Sequence, residues 1–265
     1  MNRFYGIGVG PGDPELITLK ALTILKMVDI IFAPKAKMKE GSLAREIVEK
    51  VLDEKLVPAP DLIRGKQGKE FLELEFPMTK NEEDLRKRYL KAAGLILQKI
   101  REGKQVAYLT IGDPLLYSTY IYLINILKEV APELIVETIP GIPSYSALAA
   151  RFSYSLAEKD ERICICPAPE GMEDLREIIV KNDTVVIMKV AKRLPEVINL
   201  LQEMNLLPHT IFGSHVGLEG ERLVSGQDGL FALSEDEGYL STIIVRKRTK
   251  TQLATENTEK GKINY

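Results

Sequence analysis

Two hydrophobic rhythms run along the chain. Short apolar runs closed by Gly, Pro or Asp predict strands at "RFYGIGVG", "VDIIFAPK", "FLELEF", "KQVAYLTIGDP", "LIVETIPG", "RICICPAP", "DTVVIMKV" and "YLSTIIVRKR". Longer segments with apolar residues three and four apart predict helices between them. Asp13 as N-cap and Pro14 at N1 predict a helix opening directly after the first glycine loop, over "ELITLKALTILKMV", with Leu16, Leu19, Leu22 or Thr23, and Lys26 at helical spacings. Ser42 is expected to cap a helix running to Leu52, and the charged run Asn81 to Arg101 reads as a long amphipathic helix. The glycine-rich stretch His209 to Leu233 reads as a hairpin. Strands alternating with helices imply crossover units and a largely parallel sheet, hence an α/β fold. A boundary near Leu115 to Ser118 predicts an N-terminal α/β domain over 1–114 and a C-terminal one over 115–249. The polar, aperiodic segment 250–265 is expected to fray. No internal repeat is visible.

Composition narrows the partner. Of 265 residues, 45% are apolar and 28% charged, which excludes a disordered or fibrous chain. With 36 basic against 38 acidic side chains, no global charge favours a nucleic-acid track, and a small-molecule partner is expected. No apolar run reaches the length of a membrane span and no signal-peptide profile opens the sequence, so the expected setting is cytoplasmic, with no membrane partner. The two cysteines, Cys164 and Cys166, are expected to point to opposite faces of a strand, away from a disulfide or a metal clip. His209 and His215 lack the cysteines or spaced carboxylates of a zinc site, so no metal is expected.

The loops carry the chemistry. "GIGVGPGDPE" places glycines at 6, 8, 10 and 12, but Asp13 stands where a dinucleotide-binding loop needs its third glycine. The next strand ends in Ala33, Pro34 and Lys35 instead of a ribose-binding acid. An ordinary dinucleotide site is therefore disfavoured, and without Gly-Lys-Ser/Thr a P-loop is excluded. "IGDP" at 111–114 and "IPGIPSYSALAA" at 139–150 close two further strands. Ligands of α/β sheets gather outside the carboxyl ends of strands, so three such loops suggest one site.

Taken in order and spacing, "GVGPGDPELITLKAL", "GDPLLYST", "PGIPSYSA", "VVIMKV" and "YLSTIIVRK" resemble the tetrapyrrole methylase family from about residue 3 to 248. That resemblance implies S-adenosylmethionine as methyl donor, a tetrapyrrole substrate, a homodimer, and two α/β domains with the site in the cleft between them. Within the family, Tyr117-Ser118-Thr119 and the Tyr-x-Ser-Thr of 239–242 look like the branch that methylates the carbon-20 bridge of precorrin-2 or cobalt-factor II. Another corrin carbon, diphthine synthesis, and a non-catalytic nucleotide-sensing module are the rival readings.

Carried onto this sequence, the resemblance assigns the amino-acid end of the donor to Ile111, Gly112, Asp113, Leu116, Ser118 and Thr119. It assigns the adenosine to Pro143, Ser144, Met188, Val190, Val216, Gly217, Ser241 and Thr242. Pro11 would edge the macrocycle trough. Asp113 is expected to orient the donor without being needed for folding. Ser118 and Thr119 could equally cap the helix that follows, and Met188 could equally be core. An octacarboxylate substrate calls for cations, for which Lys35 and Lys189 are favoured over Arg151, Lys192 and Arg193. Tyr117 is placed on the substrate. The donor is already activated, so the reaction needs placement and exclusion of water, then loss of the bridge proton to a base left unassigned.

Overall fold

The computed structural model describes residues 3–36, 41–52, 69–76 and 81–247. The polar segment 250–265 lies outside them. In the first half, β1 (Arg3–Gly8), β2 (Ile30–Ala36), β3 (Glu70–Phe76), β4 (Val106–Thr110) and β5 (Ile135–Ile139) form one sheet in the order β3-β2-β4-β1-β5. Every pairing is parallel. Helices α1 (Leu19–Met27), α2 (Leu43–Leu52), α3 (Glu82–Arg101) and α4 (Thr119–Val130) supply the crossovers. A parallel sheet flanked by helices buries both faces, and accordingly all five residues of β4 are buried. On one face Phe4, Phe32, Val106 and Tyr108 pack with Tyr89, Ala93 and Ile96 of α3 and with Leu123 and Leu127 of α4.

The first helix starts later than the sequence predicts. Asp13 Oδ1 accepts the Glu15 N–H at 2.9 Å, but it closes only a 3-10 turn over Pro14–Leu16. Ile17 is extended again, and Thr18 Oγ1 accepts the Ala21 N–H at 3.2 Å to open α1. Two N-cap residues thus divide the segment. The buried stripe is Ala21, Ile24, Leu25 and Val28, while Leu19, assigned to the core stripe by spacing, is 83% exposed. Ser42 does cap α2, through an Arg45 N–H bond to its hydroxyl.

The division into compact units falls between Ser144 and Tyr145, not at 114/115. The physical reason is β5: it returns beside β1, pairing Ile7 with Ile139, so residues 115–144 complete the first sheet.

Beyond the division, after α5 (Ser144–Arg151), β6 (Ile163–Pro167), β7 (Thr184–Met188), β8 (Thr210–Ser214), β9 (Arg222–Ser225) and β10 (Ser241–Arg246) form a second sheet in the order β6-β7-β10-β8-β9. Only β6 and β7 are parallel. The last strand runs antiparallel between β7 and β8, and β8 and β9 form the expected hairpin, so this sheet is mixed where a largely parallel one was expected. Helices α6 (Met172–Lys181), α7 (Leu194–Glu203) and α8 (Gln227–Phe231) accompany it. Its core joins Leu175, Ile179, Val197 and Leu201 to Val185, Ile187, Phe212, Ile243 and Val245.

Cys164 and Cys166 both lie in β6, and they share one face: a strand repeats every two residues, so positions two apart align. Both are free thiols packed against the core of this sheet. Burial, then the neighbouring Cys164, pushes the Cys166 thiol up to about 12. Among the described residues no three or more His, Cys, Asp or Glu side chains converge as metal ligands, and no helix is long and apolar enough to cross a membrane.

Candidate active site

The adjacent strands β4, β1 and β5 end side by side, and the loops leaving them meet backbone to backbone. Val9 N–H donates to Thr110 O at 2.9 Å and Gly112 N–H to Gly10 O at 2.8 Å. Gly10 and Gly112 hold φ of 78° and 69°, the left-handed region open to glycine. A Cβ on Gly8 would lie 2.6 Å from both Gly112 O and Gly141 N, and one on Gly141 would overlap Gly112 O. Glycine is required at 8 and 141 by this close approach. The spacing of glycines in the sequence shows where a turn can form but not that three loops are pressed together.

Asp113 latches this junction. Its Oδ1 accepts the Leu115 N–H at 2.9 Å and its Oδ2 accepts the Gly141 N–H at 3.1 Å, tying the β4 loop to the β5 loop. The carboxylate therefore has a structural task, which corrects the expectation that it is dispensable for folding. An ionised carboxylate offers about four acceptor sites, so capacity remains for a ligand N–H. Ser118 occupies the N-cap position of α4 without a side-chain capping bond; its hydroxyl donates back to Pro114 O. Thr119 Oγ1 lies 2.8 Å from the buried Tyr108 hydroxyl. Neither hydroxyl takes the capping role.

Between these anchors Leu115 is 60% exposed, Leu116 is half-buried, and Tyr117 adopts φ 52°. A non-glycine residue held in the left-handed region costs energy and recurs at ligand sites. Pro11 is buried, whereas Ile111, Pro143 and Ser144 are half-buried. A Cβ on Gly112 would sit 3.8 Å from Pro143 Cα, which brings the second and third loops into contact. The sequence-assigned residues of this half thus share one edge of one sheet. Lys35 lies at the same carboxyl edge, on β2, with its ammonium 3.4 Å from Glu73 Oε2. Arg45 shares that carboxylate at 3.8 Å and stands 5.1 Å over the Phe71 ring, a cation the sequence did not single out.

The second sheet has a corresponding edge, where β7 and β8 end and β10 begins. Register pairs Thr242 with Met188 and with Gly213, and Ser241 with Ser214, so Met188, Ser241 and Thr242 are neighbours. Backbone strain concentrates here: Lys189, Ala191, His215 and Leu240 have φ of 54°, 46°, 51° and 48°. His215 N–H donates to Leu240 O at 3.2 Å, and its ring lies 5.9 Å from that of Tyr239. Val190 and Val216 are buried, Lys189 is exposed, and Gly217 N–H donates to Glu221 Oε2 at 2.6 Å. The same carboxylate holds Arg151 at 3.4 Å. Ser241 spends its hydroxyl on Gly238 O at 2.7 Å. Arg193 donates to Pro169 O, which leaves that cation with an internal partner.

The model of the Tetrapyrrole (Corrin/Porphyrin) Methylases matches residues 3–228 of the chain. The chain belongs to this family. Among tetrapyrrole methylases it is 38% identical to a Methanocaldococcus jannaschii protein named "Probable cobalt-precorrin-2 C(20)-methyltransferase", over 93% of this chain and 97% of that one. The cobalt-precorrin-2 C(20)-methyltransferase of Salmonella typhimurium is 31% identical over 93% of this chain and 97% of that one. A crystal structure of a Thermus thermophilus uroporphyrin-III C-methyl transferase complexed with S-adenosylhomocysteine superimposes with a TM-score of 0.57, covering 92% of this chain and 97% of that one. At 21% identity that likeness speaks for the shared methylase fold alone.

Proposed function

We propose that the chain is an S-adenosylmethionine-dependent C-methyltransferase that methylates the carbon-20 bridge of a precorrin-2-type macrocycle in corrin biosynthesis. The reading is carried by the glycine-lined junction of the β4, β1 and β5 loops, standing in a chain similar over 93% of its length to two proteins named for that reaction. The residues present suit the donor. Asp113 keeps acceptor capacity for an ammonium group, and the exposed Leu115 and Tyr117 offer apolar surface beside it.

Bound S-adenosylmethionine supplies an activated methyl, so no protein nucleophile is required. The work left to the chain is positional. Ile111, Gly112, Asp113, Leu116, Ser118 and Thr119 hold the amino-acid end, while Pro143, Ser144, Met188, Val190, Val216, Gly217, Ser241 and Thr242 hold the adenosine. Pro11 and Tyr117 line the macrocycle, and Lys35 and Lys189 meet its carboxylates. The enzyme acts as a cytoplasmic homodimer, a reading that light scattering on the purified chain checks.

The test incubates the protein with carbon-labelled S-adenosylmethionine and with precorrin-2 or its cobalt-loaded form, the substrate deuterated at the bridges. Mass spectrometry and carbon NMR should find one new methyl at the carbon-20 bridge and loss of that deuterium. A methyl on a pyrrole carbon, or a second methyl, places the chain in another branch. Turnover on the two substrate forms decides whether cobalt is already present.

A further inference from the structure

The loop from Asp113 to Ser118 ends on a buried pair of phenols that the site assignment does not use. Tyr108 of β4 is fully buried, and its hydroxyl lies 2.8 Å from Thr119 Oγ1 in the first turn of α4. The next residue, Tyr120, is also fully buried and stacks on Tyr108 with ring centroids 6.2 Å apart. Its hydroxyl lies 2.6 Å from Thr138 Oγ1 in β5. In the sheet β1 runs between β4 and β5, so Tyr120 must pass over it to reach Thr138. It does so at Gly6, where any Cβ would overlap the Tyr120 ring. A buried tyrosine needs a partner for its hydroxyl, and here both partners are threonines beside the loops of the site.

We infer that Tyr108 is a positioning residue for the methyl donor: through Thr119 it fixes the first turn of α4 and so sets the geometry of the Asp113–Ser118 loop, with Tyr120 and Thr138 bracing the same turn against β5. This inference rests on the donor site proposed above. Asp113 secures the loop where it leaves β4, and Ser118 folds it back onto Pro114. The Tyr108 hydroxyl ties the far end of the loop to the central strand of the sheet. A side chain that touches no ligand acts here by removing freedom that binding would otherwise have to remove.

The experiment measures S-adenosylhomocysteine binding by calorimetry for the wild type, Tyr108→Phe, Thr119→Val, the double variant and Thr119→Ser. Phenylalanine keeps the ring stack and deletes only the hydroxyl. Tyr108→Phe should bind about three- to tenfold more weakly, the scale of one lost hydrogen bond, and Thr119→Val at least as weakly because Thr119 also holds the donor. The double variant should be no weaker than Thr119→Val, because that change already removes the bond to Tyr108. Thr119→Ser, which retains the hydroxyl that meets Tyr108, should bind more tightly than Thr119→Val. Wild-type affinity in Tyr108→Phe, or losses that add in the double variant, overturns the inference while leaving the donor site intact. A wild type that does not bind S-adenosylhomocysteine overturns the donor site and the inference with it.

Discussion

Asp113 shows how one side chain can serve the fold and the ligand together. Its two backbone hydrogen bonds, to Leu115 and Gly141, are of the charge-assisted kind. Asp113→Ala should therefore cost about 1.5–3 kcal/mol of stability in urea denaturation as well as weakening donor binding. Asp113→Asn should lose less stability, since its amide oxygen can still accept one of the two N–H groups. At Cys166 the thiol is held near 12 against an ordinary value of 9, by burial first and by Cys164 second. The raised value means the folded state favours the neutral thiol. That contribution is whole below pH 9 and disappears as pH rises toward 12. The wild type should lose more stability over this interval than Cys166→Ser does, and its thiol should alkylate slowly at pH 8. At this scale Ser42 was legible because it acts through its neighbours in the chain, whereas the equally local faces of Cys164 and Cys166 and the reach of the Asp13 cap were misread. The sequence also misled where the partner is remote: nothing near Gly6 reveals that Tyr120 lies across it.

Among the elements, the start of α1 offers the cleanest test of competing signals. Thr18→Ala removes the cap of a helix whose inner face is buried and should destabilise by about 1 kcal/mol. Asp13→Ala touches only the 3-10 turn and should cost measurably less in the same titration. Apolar rhythm identified the strands and most helices because burial of one face imposes the period directly. Strand direction carries no such imprint. The run "YLSTIIVRKR" fits a central strand of either sense, and only its hydrogen-bonding partners, β7 and β8, reveal that it is antiparallel. The misplaced boundary has the same origin, since pairing of β5 with β1 spans more than a hundred residues of sequence. The candidate site was more legible than the boundary: the glycine and proline that end β1, β4 and β5 are local signals, and three adjacent strand ends bring them together.

For the whole molecule, a formal charge of −2 gives no long-range pull on an anionic macrocycle. Attraction must come from a few local cations, and Lys35 already faces Glu73. Partly exposed pairs are each worth about 0–1 kcal/mol and weaken with salt. Substrate affinity should accordingly fall several-fold between low and high ionic strength, while S-adenosylhomocysteine affinity stays nearly flat; titrating both ligands across the same salt series checks this. The junction of Gly8, Gly112 and Gly141 bears on how such a protein can diversify. Its shape is written in main chain and latched by Asp113, so it asks little of the other side chains around it. Leu115, Leu116 and Tyr117 can then be exchanged in combination without dismantling what they stand on. A library randomised at those three positions should yield mostly soluble, cooperatively folding variants, with donor affinity, through Leu116, and the choice of methyl acceptor, through Tyr117, as the properties that drift.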